Sequence, residues 1–129
     1  MLNLILEIFV IVVLLYIVGQ QAYFMVQRKR VGTELSEEEF NAGMRKAQII
    51  DLRESKYFDS GHILGARNLP YSQLKQRYSE IRPDLPVYLY DQGRTLSTRA
   101  AIQLHRKGYQ KIFWLKRGFQ EWNGKTKRK

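Results

Sequence analysis

The residues best suited to chemistry lie in a short polar loop between an apolar run and a helix-like segment. The apolar run is Val87–Tyr90, and the loop that follows reads Asp91, Gln92, Gly93, Arg94, Thr95 and Leu96, with Ser97 next. A strand that passes through a loop into a helix N-terminus presents free backbone N–H groups, which commonly hold an anion beside a nucleophile. Asp91 occupies the strand's exit, where a nucleophile would lie. The loop therefore raises two alternatives: an aspartate nucleophile, or a catalytic frame that has lost its chemistry.

The composition excludes several kinds of catalysis. The chain has 129 residues, no cysteine and two histidines, His62 and His105. Without cysteine there are no disulfides, no thiolate catalysis and no zinc–thiolate sites. The histidine and carboxylate spacings of common metal motifs are also missing, so we expect neither a metal nor a cofactor.

The basic residues are concentrated away from the N-terminus. All 22 Lys and Arg residues follow Val26, whereas only one of the 12 acidic residues, Glu7, precedes it. Such a surplus is typical of chains that bind nucleic acid, an anionic membrane or an acidic partner. The sequence contains no aromatic–basic interleaving of a nucleic-acid motif, so we expect no nucleic-acid partner. Each basic residue near an anionic leaflet contributes ~1 kcal/mol of attraction, and a membrane therefore accounts for the surplus.

The first 27 residues predict a transmembrane anchor. The chain is apolar from Leu2 to Val18 except for Asn3 and Glu7, and apolar character continues through residues 23–26. About 20 helical residues cross a bilayer core of ~30 Å. A secretory signal peptide is one alternative, but the basic n-region and a small-residue cleavage site are missing. A buried core helix is the other alternative.

The cluster Arg28–Arg30 follows the apolar segment and predicts its orientation. By the positive-inside rule, the short N-terminus lies outside the cell and the remaining chain is cytoplasmic. We therefore predict a single-pass protein of the cell membrane, with a basic linker over residues 28–34 and a basic tail over residues 124–129. A protein partner is expected at the cytoplasmic face.

The part that follows the linker alternates short strands with helices. Ser36 and Glu39 form a capping-box pattern at the start of one helix, and further helices are predicted over residues 71–81 and 98–107. Apolar runs predict strands near residues 47–52, 66–69, 87–90 and 111–115, and "GFQEW" predicts a short closing helix. This alternation predicts an α/β domain over residues 35–123, with a parallel sheet flanked by helices. Ligands of such domains gather at the carboxyl ends of the strands, where Asp91 lies.

Two segments resemble the signatures of the rhodanese-like family. "IIDLRESKYFDSGHILGARNLP" is similar to the first signature, Asp-Val-Arg, an aromatic residue, and then Gly-His-Ile-x-Gly-Ala-x-Asn-Ile-Pro. The matching residues are Asp51, Arg53, Phe58, Gly61, His62, Ile63, Gly65, Ala66, Asn68 and Pro70. "IFWLKRGFQEW" resembles the second signature, Leu-x-Gly-Gly-x-x-x-Trp. It keeps Leu115, Gly118 and Trp122, with Lys116-Arg117 in the stretch of the first glycine.

The resemblance implies a sulfurtransferase frame, and the loop departs from it at three positions. Family members open this loop with a cysteine, in the style Cys-x-x-Gly-x-Arg followed by Ser. That cysteine takes sulfane sulfur from thiosulfate as a persulfide and passes it to cyanide or another thiol. Aligned without gaps, Asp91 falls at the cysteine, Arg94 at the glycine and Leu96 at the arginine. Since a carboxylate oxygen forms no persulfide, the chain acting alone is predicted to be inactive.

Asp91 leaves three hypotheses open. The preferred one is that its carboxylate accepts hydrogen bonds from the loop's own N–H groups, so the chain is a non-catalytic binding or regulatory module. Asp91, Arg94 and Ser97 are then the predicted binding residues, with Arg94 either paired to Asp91 or projecting outward. The filled site argues against a small-molecule substrate. The alternatives are a sulfurtransferase that uses a partner's thiol and a phosphatase of the Asp-x-Asp-x-Thr kind, although Gly93 replaces the second acid.

The remaining conspicuous residues are predicted to be structural. Asp51 and Arg53 lie near a strand end, and His62 lies in a turn fixed by Gly61. Trp114 and Trp122 are predicted to belong to the core.

Overall fold

A computed structural model of the chain describes residues 2–128, except for the side chains of Leu2 and residues 27–30. The chain divides into two compact units, one up to Arg30 and one from Val31 onward. The predicted basic cluster Arg28–Arg30 and the last residue of the basic tail, Lys129, lie outside the described side chains.

Helix α1, Leu2–Val31, forms the first unit up to Arg30, and its last residue, Val31, belongs to the second unit. The α1 segment Asn3–Val26 has 24 residues and is apolar enough to cross a membrane. Large apolar side chains from Leu4 to Val26 are exposed along it. Signal sequences and the buried helices of soluble proteins have the same length and composition.

Over its described residues, 31–128, the second unit contains seven strands and four α-helices. In chain order they are β1 Thr33–Leu35, α2 Glu37–Gly43, β2 Gln48–Asp51, α3 Ser55–Ser60, β3 His62–Ile63, β4 Arg67–Asn68, α4 Tyr71–Arg77, β5 Val87–Tyr90, α5 Thr95–Arg106, β6 Ile112–Leu115 and β7 Thr126–Lys127. Single 3₁₀ turns occupy Met44–Lys46, Tyr78–Glu80 and Phe119–Glu121. The alternation of strands and helices that the sequence predicts is confirmed.

Five strands form one parallel sheet in the order β1-β6-β5-β2-β4. The register pairs Asp51 with Tyr90 and Leu89 with Trp114, so the strand ends lie close together. The short strands β3 and β7 form a separate antiparallel pair. Because the five strands are parallel, all their carboxyl ends meet at one edge of the sheet, and the loop from Asp91 begins there.

Two hydrophobic cores cover the two faces of the sheet. Alternate residues of one strand enter different cores, as the two-residue period of a strand requires: Ile50 belongs to the first and Ile49 to the second. The first core packs α4 and α5 on the sheet through Leu74, Ala100, Ala101 and Leu104, and the second packs α2 through Phe40. Trp114 lies in the first core and Trp122 packs against the second, as predicted.

Local signals explain where several elements begin. Glu39 N–H donates to Ser36 Oγ at 3.2 Å and Ser36 N–H donates to Glu39 Oε1 at 3.0 Å, which confirms the predicted capping box. β1 begins within residues 28–34 and β7 lies within residues 124–129, for which the sequence predicts a linker and a tail and no strand. Both are short strands without an apolar run of their own, so long-range pairing defines them.

The cores of the second unit yield a stability prediction. Leu104 is fully buried in the first core, and Val31 at the start of the unit is buried there too. Leu104→Ala in a fragment of residues 31–129 is expected to lower the free energy of unfolding by ~2–5 kcal/mol, because it removes buried methyl groups and leaves a cavity. Urea denaturation measures the change. Leu64→Ala makes the same change at a side chain that is 44% exposed, and equal losses from the two variants would contradict the assigned core.

Candidate functional site

The polar loop lies at the carboxyl end of β5, and its first side chain is buried. Asp91 is only 4% exposed, whereas Gln92, Arg94 and Thr95 are exposed. The backbone carbonyl of Asp91 accepts a hydrogen bond from Phe119 N–H at 2.9 Å. The loop therefore turns one carboxylate inward and displays polar side chains outward.

The Asp91 carboxylate caps the following helix. Oδ2 accepts the Leu96 N–H at 3.2 Å, and Oδ1 accepts the Ser97 N–H at 3.3 Å and the Ser97 hydroxyl at 2.5 Å. The expected bonds between Asp91 and the loop's own N–H groups are thus present. Since these amides belong to the first turn of α5, the cap lets the helix begin at Thr95. The sequence-based start at Thr98 was wrong for this reason.

A second loop closes against the first. Gly118 follows β6 with φ of 71°, a conformation that side chains rarely adopt. A Cβ atom there would collide with the backbone oxygens of Gln92 and Gly93. Gln120 N–H also donates to the Gln92 carbonyl at 3.2 Å. The second-signature glycine is therefore needed for close packing of the two loops.

Arg94 forms its ion pair with Glu34 and not with Asp91. Its Nη1 lies 2.9 Å from Oε1 of Glu34 on β1, and the same oxygen accepts the Trp114 indole N–H at 3.2 Å. The alternative in which Arg94 pairs with Asp91 is therefore wrong. The Arg94 backbone has φ of −142°, so the family's glycine position requires no left-handed residue here. Sequence reasoning missed Glu34, which lies in the predicted linker and carries no motif.

A buried ion pair lies beside the loop on the neighbouring strand. Arg53 Nη2 lies 2.7 Å from Asp51 Oδ2 and also donates to the Gly61 carbonyl at 2.7 Å. Burial lowers the pKa of Arg53, but the hydrogen bond and charge of Asp51, together with Tyr90, outweigh burial and raise it overall. The guanidinium lies 4.2 Å from the centre of the Phe119 ring. Arg53 thus ties the β2 end to the loop after β6.

The other first-signature residues join the same framework. The Asn68 amide donates to the carbonyls of Asp51 and Arg53 at 3.2 and 2.9 Å. The His62 ring stacks on Phe58 and its Nδ1 donates to the Phe58 carbonyl at 2.7 Å. These contacts fit the predicted structural roles of Asp51, Arg53 and His62.

Tyr90 adds a second link in this framework. Its hydroxyl accepts the Ile63 N–H at 3.1 Å, which joins β5 to β3. The pKa of the Tyr90 phenol is raised, mainly by burial and also by the nearby negative charge of Asp51. The phenol therefore stays neutral and serves as a packing and hydrogen-bonding group.

A polar cleft of about 500 Å³ opens beside the loop, at the carboxyl ends of β1 and β6. Its charged lining comes from Glu37, Glu38, Lys116, Arg117 and Glu121. None of residues 91–97 lines it, so the cleft neighbours the loop without giving access to Asp91.

These features define an α/β protein with an anion-binding loop in which the bound anion is the protein's own Asp91 carboxylate. The family model of the rhodanese-like domain matches residues 36–125. The chain belongs to the rhodanese-like domain family.

Relatives and solved structures agree with this assignment. The chain is 52% identical over 116 residues to YqhL of Bacillus subtilis, which is described as an uncharacterized protein. The aligned region covers 90% of this chain and 89% of YqhL. The chain is 30% identical over 79 residues to the thiosulfate sulfurtransferase GlpE of Shewanella oneidensis, covering 61% of this chain and 78% of that one. The crystal structure of BH2092 from Bacillus halodurans has the same fold, with a TM-score of 0.68 and 18% identity over 85% of this chain and 86% of that one.

The cap yields a prediction for the site. Asp91→Ala in residues 31–129 is expected to lower the free energy of unfolding by ~1–3 kcal/mol, because it leaves two amides and a buried hydroxyl without their acceptor. Urea denaturation measures the change, and Asp91→Asn should lose less because an oxygen acceptor remains. Asp84 is exposed and paired with Arg82, so Asp84→Ala is the control that should change little. An Asp91→Ala variant as stable as this control would contradict the capping role.

Proposed function

We propose that the chain is a non-catalytic rhodanese-like domain that acts as a binding or regulatory module at the cytoplasmic face of the cell membrane. The observation that carries the proposal is the position of the Asp91 carboxylate on the Leu96 and Ser97 amides, in a chain without cysteine. In the family frame those donors would hold a sulfur atom and an anion. A built-in carboxylate takes their place and repels thiosulfate or phosphate by its charge.

The exposed part of the loop supports a protein partner. Gln92, Arg94 and Thr95 face outward on a loop whose backbone is held by the segment after β6. Arg94 keeps a fixed orientation through Glu34. A loop with fixed backbone and exposed polar side chains loses little conformational freedom on binding, which favours recognition of another protein. We take Arg94 as its central binding residue, with Asp91 and Ser97 as the buried support.

The membrane anchoring rests on α1. Exposure of the apolar side chains of Asn3–Val26 to water is unfavourable. A bilayer would bury them along a helix ~36 Å long. The basic residues that follow this segment in the sequence favour a cytoplasmic domain. We therefore propose a single-pass protein with its N-terminus outside.

The central prediction is an absence of turnover. Purified residues 31–129 are expected to show no thiosulfate:cyanide sulfurtransferase activity, because no thiol is available to carry sulfane sulfur. The cyanide assay, with the Shewanella GlpE protein as positive control, measures the rate. Intact-mass spectrometry after incubation with thiosulfate checks for bound sulfur. Activity that appears only after a thiol protein is added would favour the partner-thiol alternative, and phosphatase turnover abolished by Asp91→Asn would favour the phosphatase.

Restoring the cysteine tests the rest of the loop. Asp91→Cys alone is expected to give only a small fraction of the rate of the double variant Asp91→Cys/Leu96→Arg. The single change removes the carboxylate from the Leu96 and Ser97 amides. Arg94 is still paired with Glu34, however, and Leu96 supplies no positive charge to bind thiosulfate. The cyanide assay compares the two variants at matched concentrations. Equal rates would show that the missing arginine is irrelevant to the loop's inactivity.

A further inference from the structure

The edge of the sheet opposite Asp91 carries its own set of exposed charges. In a parallel sheet all strands start at this amino edge, and the connecting segments return to it. Those segments are the 3₁₀ turn Met44–Lys46 before β2, the residues from α4 to β5, and the end of α5 before β6. Helices from both faces of the sheet therefore end at the amino edge.

Six exposed cations lie on these returning segments, and we call them the basic edge: Arg45, Lys46, Lys75, Arg106, Lys107 and Lys111. Within the part of the chain that the structure describes, none of them is in an ion pair. The Lys107 ammonium lies 5.1 Å from the centre of the Tyr78 ring. Cations at helix C-termini offset the helix dipole, but Lys111 and the 3₁₀ turn lie outside α-helices.

Acidic side chains offset the basic edge only in part: the hydrogen bond from Arg82 lowers the pKa of the Asp84 carboxyl, and among the six cations the charge of Lys111 lowers it further. The acids on its segments, Glu80 and Asp84, are already paired with Arg77 at 2.7 Å and Arg82 at 2.6 Å. Most other acids follow the carboxyl ends of the strands, on the side of Asp91: Glu37, Glu38, Glu39, Glu54, Asp59 and Glu121. Among the described residues, most acidic side chains therefore lie on the side of Asp91, and cations outnumber acids at the amino edge.

The basic edge includes a cleft with an apolar floor. A cleft of about 360 Å³ lies between α4 and α5, with the buried side chains of Leu74 and Leu104 among its lining. Lys75, Arg106 and Lys107 also line it, together with Tyr78, and no acidic residue does. Cations around an apolar floor match a phospholipid, whose phosphate adjoins a glycerol and acyl chains, better than they match a uniformly polar polyanion.

We propose that the basic edge docks on the anionic lipid headgroups of the membrane, and that the α4–α5 cleft takes up one headgroup. The proposal rests on the membrane anchoring proposed above, because six residues separate Val26 at the end of the apolar segment from Thr33, the first residue of β1. β1 starts at the amino edge, so the chain enters the domain at the edge that carries the charge. Docking there leaves the Asp91 loop, at the opposite edge, open to a protein partner.

Vesicle binding by the domain without α1 tests the proposal. The fragment of residues 31–129 contains both cores, and it is mixed with vesicles of phosphatidylcholine alone or with phosphatidylglycerol added. It is expected to sediment with the anionic vesicles, to stay in solution with the neutral ones, and to dissociate at high salt. Each cation near an anionic surface changes partitioning by about fivefold, so the loss of three in Lys75→Gln/Arg106→Gln/Lys107→Gln should weaken binding by roughly a hundredfold.

A charge-matched variant separates a local site from net charge. Lys56→Gln/Lys116→Gln/Arg117→Gln removes three exposed cations that follow the carboxyl ends of β2 and β6, and it should bind anionic vesicles nearly as well as the unmodified fragment. Equal weakening by the two triple variants would overturn the basic edge as a site. Binding to soluble polyglutamate without binding to vesicles would also overturn it, in favour of an acidic protein. Absence of vesicle binding, with the full chain still in the membrane fraction of cells, would reject the docking and leave the anchoring intact.

Discussion

The hydrogen bonds between the Asp91 carboxylate and the first turn of α5 hold the loop after β5 against the start of the helix. They set Thr95 as the first residue of α5, and the helical period then directs Ala100, Ala101 and Leu104 to the sheet. The same residue's backbone carbonyl holds Phe119, which lies against the buried Arg53. One aspartate thus connects β5, α5 and the loop after β6.

A carboxylate is stabilised at this position for the same electrostatic reason that a thiolate or a bound anion would be stabilised there. The amide groups of the first helical turn carry partial positive charge, and an acidic group there gains ~0.3–1 kcal/mol beyond its hydrogen bonds. What changes is the chemistry. A persulfide needs a soft atom that attacks and leaves, and an oxygen held by two amides and a hydroxyl does neither. The rhodanese-like fold thus surrounds a side chain that cannot itself carry sulfane sulfur.

The sequence predicts this site well where the information is local. The capping box of Ser36 and Glu39, the strand Val87–Tyr90 and the bonding of Asp91 to its own loop follow from residue types a few positions apart. Glu34 could not be predicted as the partner of Arg94, because the two residues are 60 positions apart and meet only when β1 pairs with β6. The start of α5 was misplaced since a cap four residues before the helix breaks the usual N-cap pattern. The grouping of cations at the amino edge could not be predicted either, because it depends on which segments return to that edge of the sheet.

Sequence signatures of this family report the framework more than the reaction. Gly118 is required because a side chain would collide with the backbone of Gln92 and Gly93, whether or not the loop carries a cysteine. Asp51, Arg53 and Asn68 hold the β2 end to its neighbours through hydrogen bonds that are buried or partly buried. All of these contacts are present in a chain that has no cysteine. The residues on which sulfur transfer would depend therefore lie at the end of β5 and in the loop after it, and agreement with the two signatures identifies the fold that presents them.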